Sequence, residues 1–97
     1  VSYGNLTLDR RACQVTIADN PIELKQREFR LLEIFVSHTG RVLSKDELLD
    51  HLYSFDESPS PNAIETYVAR LRKKLQGSDV EIRTLRGLGY LLEEEHG

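Results

Sequence analysis

Apolar and polar positions alternate with a period of two at the start of the chain, shift to steps of three and four in its middle, and return to a period of two near its end. Leu6 and Leu8 alternate with Thr7 and Asp9; Cys13, Val15 and Ile17 alternate with Gln14 and Thr16; Ile22 and Leu24 flank Glu23. Alternation of this kind marks half-buried strands, because successive side chains on a strand point to opposite faces. Asp9-Arg10-Arg11 and Asp19-Asn20-Pro21 supply turn chemistry between the runs. Residues 1–24 therefore predict a small antiparallel meander with one apolar face. Cys13 is expected there as a small hydrophobe on a strand.

From Gln26 to His38 the residues Phe29, Leu32, Phe35 and Val36 recur at helical steps, with Leu31 and Ile34 widening the stripe. This predicts a first helix, ended by Gly40 as a left-handed cap. Its start is weakly signalled, since Lys25 stands where a capping hydroxyl or carboxylate would help. Ser44 followed by Glu47 is a capping box, and Leu48, Leu49 and Leu52 form the apolar side of a short second helix. Residues 53–60 read as a loop rich in Ser, Pro and acid. Ser60 as cap and Pro61 at the first helical position then predict a third helix over residues 61–76, stopped by Gly77. Val80 and Ile82, then Tyr90-Leu91-Leu92 beyond the turn Arg86-Gly87-Leu88-Gly89, predict a hairpin. The order is sheet, three helices, hairpin: an α+β chain of one domain over residues 1–97. It has no initial methionine, and a fragment of a longer protein is expected.

Charge changes the picture. The formal net charge is −3, which by itself argues against a polyanionic partner. Its distribution argues otherwise. Residues 62–86 hold six cations (Arg70, Arg72, Lys73, Lys74, Arg83, Arg86) against three acids (Glu65, Asp79, Glu81), a net +3. The rest of the chain holds seven cations against thirteen acids, a net −6.

On a wheel of about 100° per residue, Ile64, Val68, Leu71 and Leu75 form the inward stripe of the third helix, and Asn62, Thr66, Ala69, Arg70 and Lys73 form its outer side. A surface helix commonly carries mixed charge, and cations near a helix C-terminus suit its dipole without any ligand. Two further details point to a reading surface. Asn62, Thr66 and Arg70 are spaced four apart and line up along one edge, and Asn and Arg can make two-pronged hydrogen bonds to adenine and guanine edges. Ala69 beside them removes bulk that would hold the helix away from a groove.

With these segments in view, the chain resembles the C-terminal effector domain of OmpR/PhoB-type bacterial response regulators. The resemblance rests on Glu28, Phe29, Leu31 and Leu32; on Gly40-Arg41-Val42-Leu43-Ser44; on Val68, Arg70, Leu71, Arg72 and Leu75; and on Thr84-Leu85-Arg86-Gly87-Leu88-Gly89-Tyr90. It implies a winged helix-turn-helix: an N-terminal antiparallel four-stranded sheet, three helices and a C-terminal β-hairpin wing. Asn62, Thr66, Tyr67 and Arg70 would then face bases in the major groove. Arg72, Lys73, Lys74, Thr84 and Tyr90 would meet phosphates, and Arg86 in the wing would enter the minor groove. Asp56 and Glu57 in the loop before the third helix would meet RNA polymerase. The resemblance also implies a receiver domain upstream, a cognate sensor kinase acting through it, a tandem dimer on direct repeats in promoter DNA, and a cytoplasmic location. The chain departs from the pattern in three places: Lys25-Gln26 replaces Thr-Pro at the first helix, so that end is expected to fray; Tyr53 stands near a frequent Trp; Ala69 replaces a frequent Arg.

Catalysis is not expected. His38, His51 and His96 share no metal-ligand spacing with one another or with Cys13. No Ser or Cys sits in a nucleophile motif, and strand-forming residues, not a helix, follow Gly87-Leu88-Gly89. No cofactor, metal or membrane span is expected, and the acid run Glu93-Glu94-Glu95 reads as a solvated tail. The alternative function is a winged-helix module that binds protein rather than DNA, since fold alone does not settle function.

Overall fold

A computed structural model describes residues 2–94; Glu95 of the acid run and His96 lie outside the described residues. Four strands open the chain, β1 (Ser2–Tyr3), β2 (Leu6–Asp9), β3 (Gln14–Ile17) and β4 (Asn20–Ile22). They form an antiparallel sheet in sequence order. Register follows the alternation: Leu6 pairs with Ile17 and Leu8 with Val15, and all four side chains are buried. Ala18 and Asp19 link β3 to β4 with φ of 50° and 67°, the left-handed pair that a two-residue hairpin turn requires. Pro21 is accommodated because β4 is an edge strand.

Cys13 departs from expectation. It lies outside β3, exposed, at φ 52° in the turn after β2. The Asp9 carboxylate accepts from the Arg11 and Ala12 N–H groups, and this side chain-to-backbone turn takes the chain out of the sheet before Gln14.

Helix α1 (Gln26–Ser37) lies at the centre, with Leu31, Leu32 and Phe35 buried. Its N-terminus is anchored rather than left without a cap: the Glu28 carboxylate, itself buried, accepts from the Lys25 N–H at 3.0 Å. Gly40 is left-handed at φ 79°, in the turn after the helix. Helix α2 (Lys45–Leu52) starts with the expected reciprocal cap: Ser44 Oγ accepts from the Glu47 N–H, and the Glu47 carboxylate accepts from the Ser44 N–H. Helix α3 (Ala63–Lys74) begins two residues later than Ser60-Pro61 suggested. The Ala63 N–H bonds to the Ser60 carbonyl, so residues 60–63 form a turn and Asn62 occupies the cap. The helix also ends at Lys74 rather than Gln76.

Strands β5 (Val80–Leu85) and β6 (Gly89–Glu94) pair from Val80↔Glu94 to Leu85↔Gly89. β6 is longer than Tyr90–Leu92 because Glu93 and Glu94 continue the ladder, so this part of the acid run is strand rather than tail. A short bridge joins Leu43 to Tyr90, fixing the hairpin to the segment before α2. The approach is so close that a Cβ on Gly89 would sit 2.1 Å from the Leu43 carbonyl oxygen, so no other residue fits there. One core joins both sheets and all three helices, and among the described residues no buried side-chain nitrogen or oxygen lacks a hydrogen-bond partner.

Candidate nucleic-acid interface

Helix α3 is held on its inner side by Ile64, Val68, Leu71 and Leu75, all at most 3% exposed. The wheel therefore predicted the rotation of this helix correctly. Asn62, Ala69, Arg70 and Lys73 are exposed, and Thr66 and Tyr67 are half-buried along the same side. Thr66 donates its hydroxyl to the Asn62 carbonyl at 3.0 Å, which leaves the oxygen lone pairs as acceptors. The Arg70 guanidinium lies 5.9 Å from the centroid of the Tyr67 ring, within cation–π range.

The cations grouped by sequence have different surroundings. Arg70, Lys73 and Arg86 are exposed and make no ion pair among the described residues. Arg72 donates to the Ile82 carbonyl and the Thr84 hydroxyl, so it ties α3 to the hairpin while keeping its full charge. Lys74 turns inward: its ammonium reaches the Glu28 carboxylate at 2.9 Å and the Glu23 carbonyl at 2.8 Å. Burial alone would push the Glu28 carboxyl upward. The Lys25 N–H and then Lys74 outweigh it and hold the group below the ordinary carboxylate value of 4.5. Lys74 is thus committed to the protein, and its expected place on a phosphate is not supported by this geometry. Tyr90 is half-buried, with its backbone in the bridge to Leu43.

The turn carrying Arg86 closes through the Leu88 N–H and the Leu85 carbonyl, with Gly87 left-handed. Between this wing and the N-terminus of α2 runs an open groove of about 430 Å³, lined by residues 44–46 and 84–90. Sequence reasoning missed Lys45, which stands at its edge and pairs with Glu65 of α3 at 3.2 Å. It also missed Arg27, which sits over the Tyr53 ring, and Phe55, which is fully exposed. An aromatic residue in a polar, acidic loop was the available signal for Phe55.

In that loop Glu57 pairs with Arg27 and accepts from Ser54. The Ser54 N–H and hydroxyl, then Arg27, lower its pKa. Asp56 accepts from the Ser54 hydroxyl, and both acids remain exposed. The His38 and His51 rings come within 5.7 Å of each other, a proximity their sequence spacing did not reveal. No group of three metal-ligating side chains occurs among the described residues, and no helix among them is long and apolar enough to cross a membrane.

A three-helix unit between a four-stranded sheet and a hairpin, with a polar, cationic helix face flanked by a wing that presents Arg86 at its turn, defines a winged helix-turn-helix of the nucleic-acid-binding class. The family model described as "Transcriptional regulatory protein, C terminal" matches residues 19–92. The chain belongs to this family, the OmpR/PhoB-type DNA-binding domains, which is a family of transcription regulators and not of enzymes. It is 44% identical over 93 residues to the transcriptional regulatory protein QseB of Escherichia coli O157:H7, covering 96% of this chain and 42% of that protein. It is 42% identical over 93 residues to VxrB of Vibrio cholerae, covering 96% of this chain and 37% of that protein. The chain thus spans about two-fifths of the curated relatives it matches. Among solved structures, the Klebsiella pneumoniae RstA DNA-binding domain in complex with the RstA box superimposes with a TM-score of 0.81 at 31% identity, covering 94% of this chain and 93% of that one. The DNA-binding domain of the response regulator AdeR, in complex with an intercistronic region, gives 0.86 at 26% identity, covering 98% and 100%.

Proposed function

We propose that the chain is the output domain of a two-component response regulator and binds double-stranded promoter DNA, with α3 in the major groove and the wing in the adjacent minor groove. One observation carries this reading: the outer face of α3 is uncovered, and its Asn62, Arg70 and Lys73 project from a helix whose opposite stripe is locked into the core. Asn62, Thr66, Tyr67 and Arg70 read base edges. Lys73 holds phosphate directly, and Arg72 does so together with the Thr84 hydroxyl it already grips; Tyr90 adds a neutral contact. Lys74 is left out of this set because its charge is spent on Glu28. Arg86 enters a minor groove, where a narrow A·T tract attracts it electrostatically.

By the same reading a receiver domain precedes this domain in the whole protein and is addressed by a sensor kinase in the cytoplasm. Two copies bind direct repeats head to tail, and Asp56 and Glu57 meet a basic patch of RNA polymerase. The domain performs no catalysis. Alanine at both acids should abolish promoter activation with DNA binding unchanged; intact activation would remove the polymerase contact from the proposal.

Selection of bound duplexes from a random pool, followed by a salt titration on the selected duplex, tests the main claim. Each neutralised phosphate steepens the log–log salt dependence by about 0.9, so binding should weaken steeply, and the selected sites should repeat at about one helical turn. A module that binds protein through an apolar groove would show neither behaviour.

A further inference from the structure

We propose that Leu88, at the tip of the wing, is a specificity-determining residue that reads the floor of the minor groove: its aliphatic side chain tolerates A·T pairs and rejects G·C pairs by excluding the guanine 2-amino group. This rests on the reading that places the wing in the minor groove, and it adds a contact that Arg86 cannot supply.

Leu88 is 66% exposed, and among the described residues Phe55 alone is a more exposed large apolar side chain. A loose turn is not the cause. The Leu88 N–H donates to the Leu85 carbonyl at 2.9 Å, which closes the turn across Arg86 and Gly87. One residue further on, Gly89 lies against the Leu43 carbonyl. The Tyr90 N–H donates to that carbonyl at 2.9 Å, and the Tyr90 carbonyl accepts from the Leu43 N–H at 2.8 Å. Leu88 is therefore held between two fixed points, on the lip of the groove that separates the wing from α2. Arg86, on the same turn, is exposed and makes no ion pair among the described residues. A free cation and an aliphatic group thus share one rigid tip, and the apolar group is continuous with the surface assigned to DNA.

The chemistry of the minor groove fixes what such a tip can do. A·T and T·A pairs present only acceptors there, and G·C adds the guanine amino donor. Arg86 answers the acceptors and the potential of a narrow groove. Leucine offers the amino group no acceptor. Pressed onto G·C, it takes that group out of water without a partner, and a polar group left so is costly. Over A·T it covers the adenine C2–H and the sugars, and the contact is favourable. Discrimination by an unpaired group on the wrong partner requires a side chain that cannot swing away. Leucine loses little rotamer freedom when ordered, and the turn beneath it is fixed on both sides. A single exposed leucine is ordinary on a protein surface; a leucine on an anchored tip beside a free arginine is placed to discriminate.

Inosine isolates the amino group, because I·C keeps the major-groove edge of G·C and lacks the 2-amino group in the minor groove. At each A·T pair of the selected duplex, affinity is measured with G·C and with I·C in its place. Pairs under the wing should tolerate I·C and resist G·C. Leu88→Ala should lower this I·C-to-G·C affinity ratio by about three- to tenfold, the lower end of what one wrong base pair costs. Leu88→Asn, whose amide oxygen accepts from the amino group, should lower it further. The salt slope should stay unchanged in both, whereas Arg86→Ala, which removes a charge, should reduce it by about 1. The ratio is measured on one preparation, so any unfolded fraction cancels. An unchanged ratio in Leu88→Ala, or a loss shared equally by all duplexes, would overturn the proposal. So would a loss confined to duplexes with two repeats, which would place Leu88 between two bound copies. If no pair separates I·C from G·C and Arg86→Ala leaves the slope intact, the minor-groove assignment of the wing falls and takes this inference with it. If both of those behaviours are seen and Leu88→Ala does not touch the ratio, this inference alone falls.

Discussion

Helix α3 carries two sets of cations that the sequence does not distinguish. On its outer face Arg70 and Lys73 meet no acid, whereas on its inner flanks Arg72 grips β5 and Lys74 reaches the buried Glu28. Lys73 and Lys74 are neighbours of identical chemistry, yet about 100° of rotation separates a free charge from one paired, half-exposed, with the buried Glu28 carboxylate. The difference shows that a basic helix serves two purposes at once. Some of its charge orients the helix against the body of the domain, and the remainder is available to a polyanion. The dipole at the helix C-terminus favours both sets equally, so it does not explain their division; the groups placed opposite them do.

The largest expected effect comes from breaking the rotation itself. Val68→Asp buries an unpaired carboxylate in the stripe that holds α3, and should cost more than about 4 kcal/mol, enough to abolish cooperative thermal unfolding. A stable Val68→Asp protein would mean the inner and outer faces are wrongly assigned. Next, Lys74→Ala leaves the Glu28 carboxylate buried with only the Lys25 N–H, at a cost of about 2–3 kcal/mol by denaturant titration, while the salt slope of DNA binding stays as it was. A flattened slope with unchanged stability would move Lys74 to the outer set.

The same pair predicts a pH dependence. The folded-state pKa of Glu28 lies below 4.5, so its contribution is fully present above that value and is lost as pH falls through the depressed folded value. Stability measured downward from pH 5 should therefore fall, and less steeply in Glu28→Gln.

Smaller effects separate members of the outer set. Arg70→Ala should cost about 1–3 kcal/mol of binding and relax preference at one base position, with stability unchanged within about 0.5 kcal/mol. Lys73→Ala should weaken binding to all duplexes alike and reduce the salt slope by about 1. Identical behaviour of the two variants would remove the distinction between base reading and phosphate holding.

Much of this was legible in the chain. The periods of Leu6, Leu8, Val15 and Ile17, and of Ile64, Val68, Leu71 and Leu75, marked the inner faces, because burial is a local pattern wherever an element has one apolar side. Ser44 with Glu47 marked a helix start because the cap is made within four residues. Ser60-Pro61 misled by two residues, since a turn closed by Ser60 and Ala63 uses the same residue types. Cys13 misled because the Asp9 turn, not hydropathy, decides where β3 begins.

The sequence by itself determined the elements, the rotation of α3 and the basic character of the last third, all of which depend on spacings within a helix or strand. Only the tertiary structure decided which cations remain free, that Glu28 anchors both the start of α1 and the end of α3, and that Arg27 reaches Tyr53. The tertiary contacts that decide them join groups 10–51 residues apart, and the partner of a charge is set by what folding brings against it, which no local period encodes.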